Sequence, residues 1–214
     1  YDHEGIKNGV IYYGADDDGS GTASVVAIAQ AFAEASKKGF SPKRNIVFMN
    51  VSGEEKGLLG SQYYSEHPVY PLEKTSVDLN IDMVGRIDPT YKGDSMNYVY
   101  VIGDDKLSSD LTPITNEVNA KYSNMELDRR FNDPKDPNRF YYRSDHYNFA
   151  AKGVPVIFYF NGTHADYHKP TDTVEKINFD LMEKRVRIIF ETAWEMAMKE
   201  EMLKRDLPLN MPGR

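Results

Sequence analysis

Three short acidic blocks, and a fourth block with two histidines, hold residue types able to bind a metal or move a proton. Asp16, Asp17 and Asp18 run side by side in the stretch GADDDGSG, Glu54 and Glu55 sit in SGEEKGLLGS, and Asp82 sits in NIDMVGR. His164 and His168 follow in GTHADYHKPTDT. Together these blocks offer carboxylate oxygen and imidazole nitrogen. That is the mix a hydrolytic zinc site needs when one coordination position is left open for water. The chain has no cysteine, so thiolate ligation is excluded and a transition metal would rest on His and carboxylate alone. Two ions roughly 3.5–4 Å apart would need one carboxylate that bridges them. A further acid beside them could carry protons from the attacking water to the leaving group.

Each block also has an ordinary reading. An acidic run in a loop is commonly a solvated surface, and paired glutamates commonly open a helix, where the dipole favours negative charge. Asp82 is harder to set aside, because a charge within an apolar strand is costly unless it is paired or metal-bound. His164 and His168 taken singly read as polar loop residues, and His67 reads as surface. The joint occurrence carries the weight, because four separate strand ends all present ligand-type groups.

Those strand ends follow from the apolar pattern. Residues 10–13, 45–51, 77–84, 98–102 and 154–160 read as strands. Residues 45–51 (NIVFMNV) and 154–160 (VPVIFYF) are continuous apolar runs, as expected of strands covered on both faces. Helices are expected over 20–38, 58–65, 105–122 and 144–152, with Pro113 in the third. A last helix starts near Asn178, with Phe179, Met182, Val186, Ile189, Ala193 and Met196 along one face. The period-free stretch 124–143 reads as a long surface loop beside the function. Alternating strands and helices predict a three-layer α/β/α domain with a mostly parallel central sheet and helices on both faces. Ligand sites in such sheets form at the carboxyl ends of the strands, where all four blocks fall.

Composition sets outer limits. At 214 residues, with 26 Lys and Arg against 33 Asp and Glu and a net charge of -7, one well-sized core is the expectation. The charge argues against a nucleic-acid or anionic membrane partner, because both need a basic footprint. No apolar run approaches the ~20 residues of a membrane span.

In their order and combination, the blocks YDHEG, GADDDGSG, SGEEKGLLGS, NIDMVGR, SDHYNFAAKGVP and YHKPTDT resemble the co-catalytic zinc exopeptidases of the bacterial leucyl aminopeptidase type. That family is related to the glutamate carboxypeptidases and the glutaminyl cyclases. The resemblance runs from Tyr1 to about Thr173. It implies a zinc-dependent aminopeptidase acting on peptide substrates, with two zinc ions. Asp16 would bridge the ions, Asp82 would hold the first, and Glu55 with His168 would hold the second. Glu54 would be the general base and then the general acid. Asp17 would follow Asp16 across a cis peptide bond. Asp2 would orient a ligand histidine from behind, with Asp145 also supporting from outside the ligand set. His168, and not His164, stands in the family's ligand position. Tyr141 or Tyr142 would supply an oxyanion-stabilising hydroxyl.

The family's His-x-Asp pattern would place a ligand histidine just before Tyr1, and His3 lies on the wrong side of Asp2 to be its equivalent. The resemblance therefore implies a single catalytic peptidase domain over 1–214 that lacks its opening strands and its first ligand histidine. Such a chain would hold one zinc or none. It also implies a secreted or periplasmic protein, and it leaves the oligomeric state open. Two other readings remain: a one-zinc transferase of the glutaminyl cyclase type, and a metal-free binding relative.

Overall fold

The computed structural model describes residues 3–211, so Asp2 lies outside the described residues. The chain opens with a hairpin, β1 (Gly5–Lys7) paired antiparallel to β2 (Val10–Tyr12). Asn8 and Gly9 turn it, both at positive φ (50° and 78°), as the Asn-Gly turn of a two-residue hairpin requires. Helix α1 (Gly21–Lys37) and the shorter α2 (Leu59–Glu66) follow.

The main sheet holds β3 (Asp78–Ile81), β4 (Tyr98–Ile102), β5 (Glu126–Asp128) and β6 (Val156–Phe160) in the order β3-β6-β4-β5. β3 runs parallel to β6 and β4 parallel to β5, while β4 and β6 are antiparallel. Helices α3 (Leu111–Val118), α4 (His146–Ala150) and α5 (Phe179–Ala197) complete the fold.

Period-two alternation sorts the central strands into two cores. Val99, Val101, Ile157 and Tyr159 face one core, shared with Ile28 and Phe32 of α1, Leu111 of α3 and Leu181 and Ile188 of α5. Tyr98, Tyr100, Ile102, Val156, Phe158 and Phe160 face the other, shared with Phe149 and Ala150 of α4 and with Phe131, Phe140, Tyr141 and Tyr142. All residues of β4 and β6 are buried, which is why both read as unbroken apolar runs. The expected three layers and mostly parallel sheet are therefore present.

Several sequence expectations shift. Residues 45–51 form no strand pairing among the described residues, and Val47 and Phe48 are exposed. A cavity of about 450 Å³ separates this segment from residues 77–81, so the edge of β3 has no ladder partner there. The stretch 124–143 is not a plain surface loop, for it carries β5 and buries Phe131, Phe140, Tyr141 and Tyr142. The expected hydroxyl donors Tyr141 and Tyr142 are thereby spent in the core. On α5, Phe179 is exposed, and the buried stripe runs through Leu181, Arg185, Ile188, Ile189, Thr192 and Met196. Arg185 can be buried because it donates to the carbonyls of Tyr98 (2.9 Å), Val84 (2.9 Å) and Arg86 (2.7 Å).

A candidate metal centre

The three adjacent aspartates point three ways. Asp16 is fully buried, and its Oδ1 accepts from the Gly85 amide (2.7 Å) while its Oδ2 lies 3.1 Å from His164 Nε2. The Asp166 amide donates to His164 Nδ1 (3.3 Å). A ring nitrogen that accepts carries no proton, so His164 donates through Nε2 to Asp16. Asp18 Oδ1 accepts from the amides of Gly21 (2.9 Å) and Met83 (3.0 Å), tying the start of α1 to the end of β3. A Cβ on Gly21 would collide with the Ile81 carbonyl and the Asp18 carboxylate, so only glycine fits there.

That leaves Asp17. Its Oδ2 lies 3.1 Å from His168 Nε2, and the same nitrogen lies 3.2 Å from Glu55 Oε1. Neither oxygen, though buried, makes a hydrogen bond among the described residues. The geometry thus brings Asp17, and not the expected Asp16, against Glu55 and His168, while each Asp16 oxygen already has a protein partner. The cis peptide bond falls at Asp17–Asp18, one position later than expected.

Around Asp17 the other predicted residues gather. Asp82 accepts from Ser144 Oγ through Oδ2 (2.6 Å), while its Oδ1 is buried without a hydrogen bond among the described residues. Asp145 accepts from Ser61 Oγ. Glu54 and Glu55 follow Gly53, which takes a positive φ of 75°. His168 (56°) and Met83 (57°) also take positive φ. Such conformations are sparsely populated outside glycine and tend to cluster at sites the surroundings hold in place.

The electrostatics record a deficit of positive charge. Burial raises the Glu54 carboxyl to about 9, with Asp82, Glu55, Asp145 and Asp17 adding to it. Burial pushes Asp82 well above the usual carboxylate range, helped by Asp17. It raises Asp17 as well, against the pull of His168. Burial would also raise Glu55, but His168 and His3 outweigh it and hold the group at about 2. Asp17 and Glu55 in turn lift His168 to about 10. A bound cation would reverse the strain on these carboxylates.

The donor set fits zinc. Ligands about 2.0–2.2 Å from a tetrahedral zinc lie about 3.3–3.6 Å apart, close to the separations seen here. Orphaned oxygens on Asp17, Glu55 and Asp82 supply free lone pairs.

Three groups enter that the sequence did not nominate. The β1–β2 register, extended two residues, sets His3 across from Gly14. His3 Nδ1 then lies 3.1 Å from Glu55 Oε1 and 3.9 Å from Asp17 Oδ2. Glu4 also offers an oxygen within 4.8 Å of donor atoms of Glu55 and His168. The Asn8-Gly9 turn was the available signal for both. Tyr167 stacks on His168 (ring centroids 3.9 Å apart), and its hydroxyl accepts from Arg143 Nη2 (2.9 Å). Burial raises the Tyr167 phenol, with the charges of Asp17, Asp82 and Glu55 adding to it. His67 is exposed and stacks on Tyr63, as expected of a surface residue.

The chain also resembles known proteins over most of its length. The chain is 32% identical over 164 residues to leupeptin-inactivating enzyme 1 of Streptomyces exfoliatus, covering 76% of this chain and 32% of that protein. It is 30% identical over 198 residues to leucine aminopeptidase 1 of Coccidioides posadasii, covering 87% and 47%. The chain thus spans half or less of the length of these relatives. Among solved structures, the LapA aminopeptidase of Legionella pneumophila superposes with a TM-score of 0.71 at 22% identity, over 92% of this chain and 50% of that one. A Porphyromonas gingivalis glutaminyl cyclase superposes with a TM-score of 0.58 at 19% identity, over 86% of this chain and 64% of that one. For the latter chain the two determinations differ slightly, at TM-scores of 0.58 and 0.57. Residues 1–193 match the description "Peptidase family M28", and the chain belongs to that family.

Proposed function

We propose that the protein is a zinc-dependent aminopeptidase that hydrolyses N-terminal peptide bonds. The observation that carries this reading is the convergence of Asp17, Glu55 and His168, with Asp82 and the high-pKa acid Glu54 beside them. Asp17, Glu55 and His168 would hold one zinc, and Asp17 with Asp82 would face a second. The centre would carry two ions, and residues 1–214 would lie within a single peptidase domain. Zinc, when bound, polarises a carbonyl and lowers the pKa of water.

Glu54 takes the proton of the attacking water and hands it to the departing amine. A carboxyl whose surroundings favour the protonated form is suited to that second, acidic half. Tyr167, with Arg143 fixing its hydroxyl, faces the same cleft and could donate to the developing oxyanion. The acids around Asp17 favour a substrate with a positive α-amine. Similarity to LapA and to leucine aminopeptidase 1 supports the activity class. By resemblance the protein is secreted or periplasmic. No helix among the described residues is long and apolar enough to cross a membrane.

The test is Glu54→Gln in the intact protein. Turnover should fall about 10²–10⁴-fold, while zinc affinity stays within a few-fold. Near-normal turnover would remove Glu54 from the mechanism. The glutaminyl cyclase alternative is told apart by product, because it would release pyroglutamyl peptide and no free amino acid.

A further inference from the structure

We infer that Asp172 is the positioning residue that sets the spacing between Asp17 and His168. The claim rests on the metal-centre reading above. Asp172 lies four residues after His168, in the turn closed by its own amide on the Lys169 carbonyl (3.1 Å). It is fully buried. Its Oδ2 accepts from two successive amides, those of Asp16 (3.0 Å) and Asp17 (3.1 Å), and its carbonyl accepts from Ala15 (3.2 Å). One residue of the histidine loop thus holds three consecutive peptide groups of the aspartate loop. No other described contact joins those two backbones so directly.

The second carboxylate oxygen, Oδ1, lies 3.7 Å from Arg86 Nη1. That is too long for a hydrogen bond but close enough to compensate the buried charge. Arg86 is fixed in turn, for Nη2 binds Asp166 (2.9 Å), its amide binds Asn161 Oδ1 (2.8 Å) and its carbonyl receives Arg185 (2.7 Å). Asp172 therefore sits between a rigid cationic support and the peptide that aims Asp17. Its side chain does not reach the ligand atoms, so it acts through Asp17 and through the turn that carries His168. Carboxylates in this outer position typically matter 10–100-fold to metal affinity.

A general loss of stability would not move the metal affinity selectively, and Asp104 provides the control. Asp104 is equally buried, is held by Arg129 and Asn132, and lies at the opposite end of the sheet. The experiment compares Asp172→Asn and Asp104→Asn in the intact protein, titrated with zinc against a chromophoric chelator. Cobalt-substituted absorption and hydrogen exchange of residues 13–20 are measured alongside. Asp172→Asn should weaken zinc binding about 10–100-fold, alter the cobalt d–d bands and speed exchange at 15–17. Asp104→Asn should lower the melting temperature while leaving zinc affinity and cobalt spectrum as in the wild type. Wild-type affinity and spectrum in Asp172→Asn, or equal weakening by both variants, would overturn the positioning role while leaving the metal centre standing. If the wild type binds no zinc, the metal-centre reading fails first and takes the positioning role with it. Should Asp172→Asn not fold, Arg86→Met serves in its place, with the same readouts and a smaller weakening of the same sign.

Discussion

Zinc entering this centre must displace protons, and the structure says from where. Without a cation, Asp17 and Glu55 hold His168 protonated up to about pH 10. The ring is 37% exposed, so water screens part of that pull. Even with part of that pull lost, the direction holds and the ring stays mostly charged at neutral pH. Zinc binds only the neutral imidazole. Raising the pH therefore favours binding, and each zinc should release about one proton from His168 at pH 7, with a further fraction from the raised Asp82 and Glu54. Calorimetric titration of chelator-stripped protein with zinc, in buffers of different ionisation enthalpy, counts those protons. The expected slope is about one to two protons per zinc, falling by about one in His168→Asn, with affinity rising about ten- to hundredfold per pH unit near neutrality. Heats that do not depend on the buffer would refute the reasoning. So would an unchanged slope in His168→Asn.

Three further outcomes concern stability. His146 is fully buried against Phe158 and Tyr141, and burial lowers its pKa to about 3, so its contribution is intact above about 6.5 and is lost as the pH falls below that. Between pH 7 and 5 the loss amounts to about 2 kcal/mol, and urea midpoints of His146→Phe should lack that part of the acid limb; parallel profiles would count against it. Burial and Asp145 raise the Asp78 carboxyl to about 7, so its ionisation opposes folding as the pH rises from about 4 to 7. Asp78→Asn should gain up to about 4 kcal/mol at pH 7.5 and nothing at pH 3.5; equal midpoints at pH 7.5 would dismiss the effect. Arg185→Leu strips three buried carbonyls of their donor and should cost about 3–5 kcal/mol, whereas a melting temperature within a degree or two of wild type would show those carbonyls otherwise satisfied.

How much of this was legible in the sequence depended on whether the signal was local. The strands β4 and β6 announced themselves because both faces are covered, and α5 because Asn178 caps it by accepting from the Leu181 amide (3.1 Å). Residues 45–51 carry the same apolar signature, yet a run of side chains cannot specify a backbone neighbour, and none pairs with it among the described residues. Arg185 was illegible for a related reason. Its donors satisfy carbonyls from elements about 85–100 positions away, as the separations of 87, 101 and 99 residues show. His3 could have been found, because Asn8-Gly9 between apolar residues is a strong hairpin signal. That hairpin folds residue 3 back onto residue 14, beside the aspartate loop.

The aspartate run shows the limit most sharply. Asp16, Asp17 and Asp18 are chemically identical, and neither spacing nor propensity distinguishes them. Their fates are decided by donors that arrive from elsewhere: Gly85 and His164 for Asp16, Gly21 and Met83 for Asp18. Asp17 alone faces Glu55 and His168, and its Oδ2 makes no hydrogen bond among the described residues. A carboxylate that the protein leaves unsatisfied at high burial is costly unless something else satisfies it. The ligand oxygen is thus identified by what the fold withholds from it. Exchanging Asp17 for Asn should abolish zinc binding, whereas Asp16→Asn, which keeps an acceptor for Gly85, should mainly lower stability. Zinc titrations of the two variants that came out alike would return the bridging position to doubt.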